Sequence, residues 1–202
     1  MLVRILLTAF GAFPGAPVNP TAALARRVAV RERRRLARLG IEIVTAELPV
    51  IYAGAESRAQ ELVERHRPDA VLHLGLAGRR KALTLEARAR NRLSVLHPDA
   101  RRARSGRLLV EAGAPDALPA RAPIARTVAA MAGAGPACRR SIDAGDYLCN
   151  LTLWATLRSP APVAAFLHIP KPGPRVTLPR MADGVTAAIL TLAREARLQR
   201  TA

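Results

Sequence analysis

The sequence predicts an α/β fold, a three-layer α/β/α sandwich around a largely parallel, open twisted sheet. Short apolar runs alternate with helical patterns from end to end, the signature of strands joined by crossover helices. Most of those runs are continuous rather than alternating, as strands covered on both faces are. Half of the residues are hydrophobic, so a sizeable core is affordable, while aromatics at 3% leave Leu, Val, Ile and Ala to fill it. A length of 202 residues suits one domain over residues 1–202, with a long loop or arm at 96–122.

Taken in order, Met1–Thr8 reads as a first strand, with Val3–Thr8 its buried run. The loop Ala9–Val18 follows, kept irregular by Gly and Pro, and it carries Phe10 and Phe13, two of the three Phe residues. A loop at the carboxyl end of a parallel strand is a usual ligand wall; the plainer alternative is that each Phe tucks the loop onto the core. Asn19-Pro20-Thr21 predicts a helix start, with Asn accepting from first-turn amides and Pro at the first helical position. That helix stops near Gly40. Ile41–Val50 is a second strand, Ala53–Arg67 a helix with a charged outer face, and Ala70–Leu74 a third strand ending in Gly75-Leu76-Ala77-Gly78. His73 inside it is expected to be a hydrogen-bonded core residue. Ala82–Asn91 predicts another strand. Its Glu86 is flanked by apolar residues, so it needs a partner, either a nearby Arg or a catalytic group.

From Leu96 to Ala122 turn signals replace periodicity, as in a lid or an association surface. Pro123–Met131 predicts a helix and Ala137–Ile142 a short strand. Leu151–Leu157 predicts an apolar helix, Val163–Pro170 a buried strand with His168 at its carboxyl end, and Leu178–Leu198 the last helix.

The net charge of +17 raises nucleic-acid binding as a function. All but Lys81 and Lys171 of the basic residues are Arg. They are spread along a chain rich in Ala and Pro, without aromatics interleaved for base stacking. The expectation is no specific nucleic-acid partner, and the run Arg31–Arg35 reads as a solvated helix face. No apolar run is long enough to cross a membrane. Two cysteines and no export signal argue against a disulfide framework and for the cytoplasm. No metal-ligand cluster at zinc spacing and no phosphate-cradling glycine motif is present, so no metal site is expected.

Chemistry is most visible at Asp143–Asn150. Cys149 falls where a Gly-containing loop becomes the first turn of a helix. Free N–H groups there favour an anion, either a thiolate or the oxyanion formed when sulfur attacks a carbonyl. A small buried hydrophobe is the bland alternative. Cys149, His168 and Glu86 all stand at element ends. They would supply a nucleophile, a base that later returns the proton, and a carboxylate that orients the ring.

The chain resembles pyroglutamyl peptidase I, the pyrrolidone-carboxylate peptidases, from Leu6 to about Pro170. Thr8-Ala9-Phe10-Gly11-Ala12-Phe13 is similar to Thr-Gly-Phe-x-Pro-Phe, and Asn19-Pro20-Thr21 to Asn-Pro-Ser. Leu48-Pro49-Val50 stands where the family has a similar Leu-Pro-Val. Gly75-Leu76-Ala77-Gly78 resembles Gly-Gln-Ala-Gly, and Glu86–Asn91 resembles Glu-Arg-x-Ala-x-Asn. Ala144–Asn150 resembles Ala-Gly-x-Phe-Val-Cys-Asn, and Phe166–Pro170 resembles Phe-Ile-His-Ile-Pro. The resemblance implies release of an N-terminal pyroglutamyl residue from peptides, with Cys149 as nucleophile, His168 as base and acid, and Glu86 as orienting carboxylate. It places the lactam ring against Phe10 and Phe13 and beside Leu76, and implies a homodimer or homotetramer without a cofactor. Leu76 stands where the family has Gln, Ala9 and Gly11-Ala12 depart in the Phe loop, and Ala87 replaces Arg. Two other functions therefore stay in view: a related cysteine amidase of different small-acyl specificity, and a non-enzymatic Arg-rich nucleic-acid-binding module.

Overall fold

The first strand sets the frame for the sheet. The computed structural model describes residues 2–13 and 16–201; Met1 of the expected first strand, Pro14 and Gly15 of the Phe loop, and Ala202 lie outside them. β1 (Val3–Phe10) runs two residues past the expected Thr8, so Phe10 ends the strand instead of opening the loop. It lies between β2 (Ile41–Leu48) and β3 (Ala70–Leu76), and β3 continues to β8 (Val163–Ile169), all four parallel. β4 (Leu83–Glu86) then pairs antiparallel with β8, and β7 (Cys138–Ser141) pairs parallel with β4. The order is β2-β1-β3-β8-β4-β7. The sheet is thus mixed but mostly parallel.

The expected strand Ala82–Asn91 is broken at Ala87. Its amide donates to the carbonyl of Ser141 at 2.7 Å and its carbonyl accepts from Ala120 at 2.9 Å. Beyond it, β5 (Arg88–Arg90) leaves the main sheet and pairs with β6 (Ala117–Pro119), the returning end of the 96–122 arm. Asp99 staples the arm to the body. Its carboxylate accepts from the backbone N–H groups of Tyr52, Arg101 and Ala103 at 2.8–3.0 Å.

Helices α1 (Pro20–Arg38) and α5 (Leu178–Thr201), with α3 (Ile124–Ala134), cover one face; α2 (Tyr52–His66) and α4 (Leu148–Leu157) cover the other. As expected, Asn19 caps α1, its Oδ1 accepting from the Thr21 amide at 3.1 Å, with Pro20 next. Strand parity sorts the core. Val3, Ile5, Leu7 and Ala9 point towards α1 and α5, as do Leu72 and Leu74 and then Val163, Ala165 and Leu167. Burying each such Leu, Ile or Val contributes about 1.5–3 kcal/mol. The opposite parity sends Leu6, Phe10, Val71 and Phe166 towards α2 and α4. Thr8, His73, Gly75 and His168 share that parity, so the polar residues of the central strands gather under α4.

His73 is a core residue, as its setting in an apolar strand predicts. It is fully buried, with Nδ1 2.6 Å from the Thr8 hydroxyl and Nε2 2.8 Å from that of Thr156. Burial lowers its pKa from 6.5 to about 3. The folded protein therefore holds the ring neutral where an unfolded chain would take up a proton. The stability this residue contributes is full above pH 6.5 and is lost progressively as the pH falls from there. At one proton, the loss between pH 6.5 and 4.5 is about 2–3 kcal/mol. Urea unfolding at those two pH values should show a shallower loss in His73→Gln than in wild type. Thr8→Val should cost about 1–3 kcal/mol at neutral pH by leaving Nδ1 without a partner.

Candidate active site

Cys149 sits on the first turn of α4, which begins three residues before the expected Leu151. Gly145, at φ +84°, turns the preceding loop, a conformation that suits glycine. Tyr147, the residue before the helix, is extended and makes no side-chain cap, so the first-turn amides meet no side-chain acceptor there. Asn150 is fully buried and fixes α4 to β5. It accepts from the Arg90 amide at 2.8 Å and donates to the carbonyls of Arg90 and Arg92 at 2.7 and 3.0 Å.

His168 and Glu86 meet. His168 Nδ1 lies 2.8 Å from Glu86 Oε1, with the imidazole 4% exposed and the carboxylate fully buried. The reversed direction of β4 produces this contact. Thr84 pairs with His168 and Glu86 with Phe166, so Glu86 lies one diagonal step from His168 on the same face. A carboxylate at Nδ1 selects the tautomer with the proton on that nitrogen, which leaves Nε2 as the basic one. Glu86 has the other anticipated partner too. Arg80 donates from Nη1 to the same Oε1 at 2.5 Å, and from Nη2 to the carbonyl of Asp143 at 2.9 Å.

The sulfur reaches the same corner through Gly75, the register partner of His168. A methyl group on Gly75 would lie 2.9 Å from Cys149 Sγ and 2.6 Å from the Phe166 ring. The Phe166 ring in turn stacks obliquely on His168, with centroids 4.8 Å apart. Only a residue without Cβ lets strand, sulfur and ring approach this closely.

The two Phe residues part company. Phe10 is 4% exposed and belongs to the core, its ring 6.3 Å from that of Phe166. Phe13 is half-buried and shares a cavity of about 450 Å³ with Leu76, Gly78, Arg79, Arg80 and Lys171. Phe10 therefore backs the aromatic cluster while Phe13 faces open space. Leu76 lines that cavity too, while its side chain packs against the α1 and α5 side of the core.

Burial favours the neutral forms of Cys149 and His168. Burial, and then the negative charge of Glu86, push the Cys149 thiol up to about 12, with Arg80 pulling the other way. Burial also lowers His168, although Glu86 opposes it. Both shifts disfavour the charged forms, thiolate and imidazolium. Cys138 stands apart from this corner, its sulfur 3.8 Å from that of Met131, and burial raises its thiol too, to about 11. Both cysteines are free. Among the described residues no group of His, Cys, Asp and Glu is placed to hold a metal ion.

Sequence reasoning singled out Cys149, His168 and Glu86 but not Gly75, Asn150 or Arg80 in any structural role. The requirement that Glu86 have a partner pointed to a nearby Arg without choosing among several.

A family model described as pyroglutamyl peptidase matches residues 3–195. The pyrrolidone-carboxylate peptidase of Gloeobacter violaceus is 36% identical over 172 residues, covering 83% of this chain and 82% of its own. That of Coprothermobacter proteolyticus is 33% identical over 172 residues, covering 83% and 81%. The crystal structure of Bacillus amyloliquefaciens pyroglutamyl peptidase I matches with a TM-score of 0.85 at 25% identity, over 96% of this chain and 98% of that one.

Gly75→Ala tests the close approach. The added methyl should push the Phe166 ring and Cys149 Sγ apart, at about 1–3 kcal/mol of stability. It should also slow alkylation of Cys149 relative to wild type under conditions where both are folded. Unchanged alkylation and stability would contradict the geometry.

Proposed function

Because the chain belongs to the pyroglutamyl peptidase family of cysteine peptidases, we propose that it cleaves the bond after an N-terminal pyroglutamyl residue using Cys149, His168 and Glu86. The observation that carries the assignment is the buried contact of His168 Nδ1 with Glu86 Oε1 at 2.8 Å, on the strand whose register partner, Gly75, touches the position of Cys149 Sγ.

In the first step His168 Nε2 takes the thiol proton as Sγ attacks the carbonyl that joins pyroglutamate to the next residue. The oxyanion draws on the uncapped amides at the start of α4. Collapse breaks the C–N bond, and the imidazolium returns its proton to the departing amine, leaving a pyroglutamyl thioester on Cys149. Water, deprotonated by His168, attacks the thioester and releases pyroglutamate and the thiol. Glu86 holds the ring direction and stabilises the imidazolium that forms twice in the cycle. The flat lactam would lie against Phe13, with Phe10 supporting the wall from behind and Leu76 lining the adjoining cavity.

Leu76 supports a second reading, a related amidase that accepts another small acyl group. An apolar side chain cannot hydrogen-bond the lactam, and a site missing such a bond loses selectivity. Assembly as a homodimer or homotetramer completes the proposal. Leu96 and Leu108, 70% and 65% exposed on the arm, are the apolar surface that supports it. Two free thiols suit a reducing compartment such as the cytoplasm.

Release of pyroglutamate from pyroglutamyl-naphthylamide should be lost in Cys149→Ser, and iodoacetamide should abolish it in wild type unless a pyroglutamyl ligand is present. Turnover of other acyl-naphthylamides but not of this one would favour the amidase. Leu76→Gln should raise kcat/KM on the pyroglutamyl substrate about 3- to 10-fold, the effect of one added hydrogen bond.

The pH dependence has a definite sign. His168 must be neutral to accept the thiol proton, and burial lowers its proton affinity below the ordinary imidazole value of 6.5. The acid limb of kcat/KM should therefore lie below pH 6.5. A limb above 6.5 would mean that the pull of Glu86 outweighs burial.

A further inference from the structure

We propose that Arg80 is a positioning residue of the catalytic apparatus: it fixes the Glu86 carboxylate against His168, ties it to the loop that opens the Cys149 helix, and offsets the negative charge facing the sulfur. The proposal rests on the functional reading given above.

The contacts are specific. Arg80 Nη1 donates to Glu86 Oε1 at 2.5 Å, the oxygen that also receives His168 Nδ1 at 2.8 Å. Oε2 of Glu86 is buried with no hydrogen-bond partner among the described residues. One oxygen thus carries both donors. A fully buried carboxylate with a single imidazole donor would be poorly compensated, and a buried ion without a counter-charge is costly. Arg80 supplies that counter-charge from the β3–β4 connection, with its own side chain still partly in solvent. Its other nitrogen holds the Asp143 carbonyl at 2.9 Å, six residues before Cys149. The same guanidinium therefore couples the acid of one strand to the loop that sets the height of the nucleophile. A planar fork suits two such bonds in different directions; a lysine reaches one.

Charge gives Arg80 a second effect. Glu86 makes the thiolate harder to form and Arg80 makes it easier; Glu86 makes the imidazolium easier to form and Arg80 makes it harder. The ionisable groups around the Cys149–His168 pair are Glu86 from β4, Arg80 from the β3–β4 connection and Tyr147 before α4. Arg79 and Lys171 line the cavity that Arg80 shares. With Arg80 present, Glu86 can orient the ring without locking a proton on it.

Arg80→Met and Arg80→Lys separate these effects. In Arg80→Met, kcat should fall about 10-fold or more with KM changed less than about 3-fold. The acid limb of kcat/KM should move up by about one pH unit. Iodoacetamide alkylation of Cys149, followed by peptide mass on a Cys138→Ala background, should shift to higher pH. Arg80→Lys should restore the pH limb and recover part of kcat. A fall in kcat in Arg80→Met with both pH profiles unmoved, or Lys behaving like Met, would overturn the proposal in favour of a purely structural ion pair. The alkylation measurement needs no substrate. If wild type releases no pyroglutamate, the functional reading fails, and the alkylation profiles still decide the role of Arg80 against the sulfur.

Discussion

A carboxylate with no exposed surface has to be compensated, and the geometry around Glu86 shows how this chain does it. The side chain stands on the one strand pairing that reverses the sheet, opposite Phe166 and one diagonal step from His168. Its Oε1 accepts from an imidazole and from a guanidinium. Those two donors lie on different segments, the end of β8 and the loop before β4. Satisfying one buried oxygen therefore fixes the carboxyl end of the central sheet relative to its reversed edge. Had β4 run parallel to β8, its side chains would meet β8 in a different register, and Glu86 would not lie beside Phe166.

The same burial acts on Cys149 and His168, raising the thiol and lowering the imidazole, so it disfavours the charged form of each. Glu86 opposes this for the imidazole and reinforces it for the thiol. Under the proposed mechanism no thiolate–imidazolium pair is stored; the charges arise as sulfur attacks, with the carboxylate behind the ring and the free amides at the helix start in place to meet them. Asn150 anchors the first turn of α4 through Arg90 and Arg92, and Gly145 turns the loop before it.

Much of this was legible in the chain because the features are local. Continuous apolar runs predict the central strands, Asn19-Pro20 predicts the start of α1, and a Gly-containing loop before an apolar helix places Cys149 on a first turn. The flanking apolar residues of Glu86 predict a partnered carboxylate. What could not be read is set by pairing between distant segments. Nothing near Ala82–Asn91 signals that the strand reverses relative to β8 and breaks at Ala87, because the break depends on carbonyl and amide partners at Ser141 and Ala120. Gly75 looks like one more loop glycine until the Phe166 ring and the sulfur of Cys149 are packed against its α-carbon. Phe10 and Phe13 look equivalent in sequence. They separate only because β1 extends two residues further, carrying Phe10 into the core and leaving Phe13 beyond the strand end.

The basic excess also has a structural use that the composition does not disclose. Several arginines are spent on backbone carbonyls at the ends of elements. Arg121 donates to the carbonyls of Thr156 and Ser159 at the end of α4, both at 2.8 Å. Arg197 reaches that of Leu39 beyond α1, and Arg4 that of His66 at the end of α2. Helix carboxyl ends carry unpaired carbonyls and partial negative charge, so a cation there satisfies both needs at once. Others pair with acids across elements, as Arg200 does with Asp69 and Arg158 with Glu111. Charges committed in this way are fixed by folding at element ends and on the acids they pair with. Arg80 carries the habit into the candidate site: one nitrogen satisfies a carbonyl, as elsewhere in the molecule, and the other lies on the Glu86 carboxylate that meets His168.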